Sequence, residues 1–177
     1  MTAISVRRAQ LTDAPAIGAV HVAAWRNAYA GILPADYLAH LDPAREAAGY
    51  AATIRSGEGV FVATSGTPGR VIGFTTARKA RRDTLADGEI QTLYVHDDFR
   101  DLGAGRKLLA HAGAWLKAMG CETAFLWVLR DNPSRFFYAH IGGQQSRESS
   151  IHWAGTALIQ TAYVWDPIDR LWTDPAD

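Results

Sequence analysis

Arg100, Gly103, Gly105, Arg106 and Lys107 fall where a strand-like segment, "GEIQTLYVH", hands over to a basic and apolar helix-like one, "AGRKLLAHAGAWLKAMG". A helix start presents backbone N–H groups without intrahelical acceptors, and the aligned peptide dipoles add about half a positive charge there. An anion finds donors and field in one place, and a diphosphate is the natural guest. Glycines at 103 and 105 let the backbone approach such a guest with no Cβ in the way. Arg100, Arg106 and Lys107 can neutralise it from the rim.

The same residues also describe an ordinary exposed loop, and two common nucleotide patterns do not fit them. A dinucleotide fingerprint needs a third glycine where this chain has Leu108, and an acid near the end of the next strand, whereas Glu122 stands at its beginning. The phosphate loop of the triphosphatases needs Gly-Lys-Ser/Thr after its spacer, which this chain lacks.

The elements that must position this turn are legible from periodicity. "ISVRRA" reads as a strand, after which Thr12 caps a helix over 13–30 that Gly31 ends. "PADYLAHL" and "DPAREAAGYAATIRSG" suggest two short helices. "VFVATSG" and "RVIGFTTARKA" form an antiparallel pair across a Ser-Gly-Thr-Pro-Gly turn. In the helix after the glycines, Leu108, Leu109, Ala112, Leu116 and Met119 share one side, and Gly120 stops it. "ETAFLWVLR" is a continuous apolar strand of the kind covered on both faces, so strand, helix and strand make a right-handed parallel crossover. "NPSRFFYAHIGG" predicts a short helix with Asn132 as cap and Pro133 first. "QQSRESSIHW" and "TALIQTAYVW" close the order as a hairpin across Ala154 and Gly155. The fold class is mixed α/β, with antiparallel strands before and after one parallel β-α-β crossover.

The stretch "LYVHDDFRDLGAGRKLL" resembles the acyl-CoA pyrophosphate loop of the GCN5-related N-acetyltransferase (GNAT) superfamily, with Arg100, Gly103 and Gly105 on its pattern. "LWVLRDNPSRFFYAHIGG" resembles the same family's next strand and helix, with Asn132, Phe137, Tyr138 and Gly142 in place. The two blocks stand in the family's order and separation, and "AAWRNAYAGILPADYLAHL" is similar to a bacterial branch in which this region forms the acceptor side. The resemblance implies a single domain over 1–177, with a central, mostly antiparallel sheet flanked by helices. It further implies acetyl-CoA as co-substrate, its pyrophosphate on the loop formed by Arg100, Asp101, Leu102, Gly103, Ala104, Gly105 and Arg106. A bulged strand would splay and admit the pantetheine arm beside Leu93, Tyr94 and Val95, which break strict alternation. Three positions depart from the pattern: Asp101 stands where a small residue is usual, Leu102 replaces a basic one, and Gly143 replaces an aromatic.

Acetyl transfer to an amine sets two demands. An alkylammonium with a pKa near 10.4 must lose its proton before attack, so a base or a water chain to one is required. Glu89 matches the glutamate used as base in the histone-modifying branch of the family, and it can equally be an exposed acid at a strand start. The departing thiolate must be protonated or hydrogen-bonded, and Tyr138 matches the family's general-acid tyrosine; the alternative is a core tyrosine. His96 and His152 remain as other bases. His21, His40, His111 and His140 sit on expected helices without partners at metal-ligand spacing, so packed or surface roles suit them. Cys121 and Ser134 lack a nucleophile's setting. Trp25, Tyr29, Tyr37, Trp127 and Trp153 either wall an acceptor pocket or belong to the core.

Composition bounds the rest. With 18 basic and 18 acidic side chains among 177 residues, no net field draws the chain to nucleic acid or an anionic membrane. One cysteine excludes an internal disulfide and a thiolate metal site. No apolar stretch approaches a membrane span, and a cytoplasmic location is expected. The hydrophobic hairpin allows a homodimer or burial within one chain. The expected function is transfer of acetyl from acetyl-CoA to a small-molecule or peptide amine. The alternatives are an acetyltransferase of protein N-termini or lysines, and a noncatalytic acyl-CoA sensor; a closed aromatic pocket would favour a small amine, an open acidic groove a protein.

Overall fold

A computed structural model describes residues 3–81 and 85–173. The acidic "DPAD" end, expected to be frayed, lies outside them. The strands are β1 (Ile4–Arg8), β2 (Gly59–Ser65), β3 (Arg70–Lys79), β4 (Gly88–Val95), β5 (Ala124–Leu129), β6 (Gln144–Trp153) and β7 (Thr156–Trp165). The helices are α1 (Ala14–Ala28), α2 (Ala35–Ala39), α3 (Pro43–Arg55), α4 (Ala104–Ala118) and α5 (Arg135–His140). One sheet runs β1-β2-β3-β4-β5-β7-β6, antiparallel throughout except between β4 and β5.

Each face of the sheet buries its own apolar set. Leu108, Leu109, Ala112 and Leu116 of α4 are fully buried against Ile72, Ile90 and Leu126, and burial of each leucine contributes roughly 1.5–3 kcal/mol. On the opposite face Ile17 and Val20 of α1 and Tyr50 of α3 pack on Val60, Val62 and Phe74. Met119 does not join the α4 face. It falls at the helix C-cap and is exposed, because the helix ends one residue before the apolar spacing does.

The parallel pair is short. β4 and β5 share only Gly88 opposite Ala124 and Glu89 opposite Phe125, and then diverge. The bulge of β4 lies at Gln91, where the β3 register steps from Thr76 opposite Thr92 to Ala77 opposite Ile90. Leu93, Tyr94 and Val95 therefore alternate regularly, contrary to expectation. Leu93 and Val95 pack toward the α4 side, and Tyr94 toward α1. The break in period falls between Ile90 and Leu93, which share a face three residues apart because the bulge inserts one residue.

Two helix starts also differ from expectation. A 3-10 turn over Leu11–Asp13 precedes α1, and Asp13, not Thr12, satisfies the start: its carboxylate accepts from the Gln10 N–H at 2.7 Å. Arg7 binds the same carboxylate at 2.7 and 2.9 Å and holds its pKa below the ordinary range. The short helix α5 begins at Arg135, two residues later than Pro133, and Asn132 serves the turn before it, its Oδ1 accepting from the Ser134 N–H at 2.9 Å.

Candidate active site

The divergence of β4 from β5 opens a cleft of about 920 Å³. At one end lies the turn into α4. Gly103 takes φ +80°, a conformation that costs an L-residue roughly 1–2 kcal/mol, and its carbonyl accepts the first intrahelical bond, from Lys107 N–H at 3.1 Å. The N–H groups at the head of α4 precede that bond and have no intrahelical acceptor, and Gly103, Ala104, Gly105 and Arg106 line this end of the cleft. A Cβ on Gly105 would lie 3.4 Å from Phe137 and 3.9 Å from Leu93, so its absence keeps the passage between those side chains clear.

Of the residues singled out for this end, Leu93, Tyr94, Val95, Arg100, Asp101, Gly103, Ala104, Gly105, Arg106, Asn132 and Phe137 line the cleft. Leu102 does not; it is in the same turn, with its side chain outward and exposed. Asp101 is exposed with φ +59°, and Arg100 pairs with Asp97 at 2.6 Å. Lys107 has turned away, its Nζ donating to the Ile4 carbonyl of β1 at 2.9 Å.

Where the strands part, Tyr138 enters from α5. It is buried against Tyr163 and Trp165, and burial, with a smaller contribution from nearby Tyr29, raises its pKa well above that of a free phenol. Burial raises Tyr29 in the same direction, with Tyr94 and Asn132 as its polar neighbours. Such phenols stay protonated at neutral pH and can only donate or share a proton. Glu89, also on the cleft wall, is held by Arg78 of the adjacent strand, whose Nε and a terminal nitrogen both reach Glu89 Oε2 at 2.9 Å. His96 and His152, the other candidate bases, do not line the cleft.

Beyond Tyr94 the cleft ends in rings. Trp25, Tyr29, Tyr37, Trp127 and Trp153 all line it. Trp25 meets Tyr29 at 4.8 Å and Trp153 at 5.0 Å between ring centroids, and Trp153 Nε1 donates to the Tyr37 hydroxyl at 3.0 Å. His21 belongs here too: it stacks on Trp25 at 4.9 Å, and its Nδ1 lies 2.7 Å from the Tyr50 hydroxyl. Desolvation lowers its pKa to about 4. His21 and Glu46 were not legible as cleft residues one by one, but His21 with Trp25 and Glu46 with Tyr50 each stand four apart on a helix. That spacing was the available signal.

A model of the acetyltransferase (GNAT) family matches residues 22–142. The chain belongs to that family. It is 34% identical to the uncharacterized N-acetyltransferase YuaI of Bacillus subtilis (strain 168) over 171 residues, which cover 96% of this chain and 97% of that one. Among solved structures, a GCN5-related N-acetyltransferase of Rhodopseudomonas palustris aligns with a TM-score of 0.70 at 21% identity, covering 94% of this chain and 97% of the other. The PaiA N-acetyltransferase of Thermoplasma acidophilum, solved with coenzyme A, aligns at 0.68 and 20%, covering 90% and 98%. The mixed, mostly antiparallel sheet with one parallel pair is thus a GNAT fold. Within it Gly143, a departure from the family's usual aromatic, has a local cause. A Cβ there would fall 2.8 Å from both Trp165 Cζ2 and the Tyr138 carbonyl, so the indole of β7 already fills that space. Among the described residues no group of three metal-ligating side chains forms, and no helix is long and apolar enough to cross a membrane.

Proposed function

We propose that this GNAT protein, acting as one domain over 1–177, transfers the acetyl group of acetyl-CoA to a small-molecule amine. One observation carries the reading: a single cleft runs from the head of α4, through the β4–β5 gap, to an end lined by rings. The family and the coenzyme A bound to the Thermoplasma relative support the donor. The residues present fit it, since Gly105 leaves room between Leu93 and Phe137, and Arg100 and Arg106 flank a helix start suited to a diphosphate. The thioester supplies an activated acyl carbon.

The chain's own groups then have distinct tasks. The edge of β4 beyond Glu89 has no β5 partner and offers main-chain donors and acceptors to an amide-bearing arm. The incoming amine forms the new C–N bond as the C–S bond breaks. Its excess proton leaves to Glu89, directly or through water, and Tyr138 gives its phenolic proton to the departing sulfur, regaining one from solvent or the acceptor. The Trp153–Tyr37 bond ties the β6–β7 hairpin to α2 beside the ring-lined end, which supports a small amine over a protein chain. The test pairs a thermal-shift titration with CoA release across an amine panel. Donor at a hundred times its Kd should add roughly 2.7 kcal/mol of stability. Stabilisation without CoA release from any amine would instead support a sensor, and release only with peptides would support a protein acetyltransferase.

A further inference from the structure

The cations along the cleft are gathered at one end. Among the described residues lining it, the fixed cations are Arg100 and Arg106, both at the turn into α4, where Asp101 also stands, while Glu46 and Glu89 border the other half. Arg78 is engaged with Glu89 and does not line the cleft. Glu46 of α3 has one possible ion-pair neighbour among the described residues, His21 Nε2 at 3.8 Å. That imidazole, buried against Trp25, Tyr50 and Tyr94, is neutral at pH 7. The Glu46 side chain is 28% exposed, at the margin of a largely aromatic wall, with no cation against it. A charge at such a margin is costly until it is matched.

Between Glu46 and Tyr138 runs a file of rings. His21 lies 4.9 Å from Trp25 and 5.5 Å from Tyr94, Trp25 lies 4.8 Å from Tyr29, and Tyr29 is near enough to Tyr138 to act on its ionisation. Ring faces hold alkyl chains by contact and cations by their quadrupole. An acceptor carrying a carboxylate would meet no cation here and would face Glu46.

Resting on the acetyltransferase reading above, we infer that the acceptor is a small diamine without a carboxylate. One amine is presented at the β4–β5 gap beside Tyr138, a carbon spacer lies along the rings, and the second ammonium sits on Glu46. The remote charge fixes the distance between the anchored end and the reacting nitrogen, so spacer length sets the rate.

The experiment measures kcat/KM by CoA release, at saturating acetyl-CoA, for unbranched diamines of increasing length, each against the monoamine of equal length. It also sets 1,5-diaminopentane against lysine, which differs from it only in the carboxylate. Donor binding is followed separately by thermal shift. The best diamine should exceed its monoamine by at least roughly tenfold, the equivalent of one matched charge, and 1,5-diaminopentane should exceed lysine by as much. Glu46→Gln should bring the diamine-to-monoamine ratio close to one, with the acetyl-CoA shift retained as evidence of a folded donor site. Equal rates for diamines and monoamines, preference for lysine, or a ratio untouched by Glu46→Gln would each overturn the inference while leaving the acetyltransferase reading standing. No acetyl-CoA shift and no release with any amine would remove both.

Discussion

Trp153, at the tip of the β6–β7 hairpin, donates its indole N–H to the hydroxyl of Tyr37 on α2, joining two cleft-lining residues 116 positions apart at the aromatic end. Trp153→Ala removes both that bond and the ring facing Trp25, and is expected to raise the KM of the amine by roughly tenfold with little change in acetyl-CoA affinity. Tyr37→Phe removes the bond alone and should cost about 0.5–1.5 kcal/mol of acceptor binding. Steady-state kinetics with each substrate varied in turn distinguish the two. Equal KM values for wild type and Trp153→Ala would place the acceptor elsewhere.

Tyr138→Phe keeps the ring among Tyr163 and Trp165 but deletes the proton donor. A fall in kcat of about 10²–10⁴, with acetyl-CoA binding retained, is expected of a lost general acid. Because burial raises the phenol's pKa, its proton is present throughout the neutral range, and any falling limb of kcat due to Tyr138 belongs above the pH at which a free tyrosine ionises. Unchanged turnover in the phenylalanine variant would take Tyr138 out of the reaction.

Glu89→Gln tests the base. The amide keeps a hydrogen-bonding oxygen for Arg78 while losing the ability to take a proton, so kcat/KM should drop by at least about 10²-fold with acetyl-CoA binding retained. An unchanged kcat/KM in the variant would assign the proton to a different acceptor.

His21 makes stability depend on pH. Its folded pKa of about 4 lies below the ordinary 6.5, so between those values the unfolded chain binds more protons and stability rises with pH. The loss on acidification from pH 6.5 to 4 is of order 3 kcal/mol from this group. Urea midpoints against pH for wild type and His21→Gln should diverge in that window and run parallel above it. Since carboxylates elsewhere in the chain contribute to both curves, the difference between the two curves is the measurement, not either slope.

Gly143→Ala brings a methyl to 2.8 Å from the Tyr138 carbonyl and the Trp165 ring. Overpacking of that kind costs roughly 1–3 kcal/mol, and the melting temperature should fall accordingly. A Gly143→Ala, Trp165→Leu double variant should recover part of the gap between single variants, because the leucine vacates the contested volume.

What could be read from the chain was local chemistry. Gly103 before α4, Gly120 after it, and Asn132 before α5 each act within a few residues, and element order and the parallel crossover followed from them. A bulge was expected in this strand from the resemblance, but its position escaped, because nothing in the order of β4 residues marks which one is extra; Gln91, the most exposed of them, gives the position only once the β3 register is known. The cleft's aromatic end was legible only in part: Trp25, Tyr29, Tyr37, Trp127 and Trp153 were candidate walls, but how they meet, and the presence of His21 and Glu46 beside them, were not. It is assembled from α1, α2, α3 and the β6–β7 hairpin, so Tyr37, Glu46 and Trp153 carry no shared spacing, and the Arg78–Glu89 pair is visible only across a strand boundary. Trp165 filling the place of an absent aromatic beside Gly143 is likewise a contact of the folded chain alone.

The seam of two residue pairs between β4 and β5 leaves the sheet as two plates, β1 to β4 and β5 to β6, stitched along their backbones at one corner. Past the stitch each plate presents a bare peptide edge to the other, and edges of that kind are satisfied by something shaped like a strand. A guest with amides spaced along a flexible thread would act as an eighth rung-bearing ribbon, and the mechanical continuity of the sheet would then be completed only while that guest is in place.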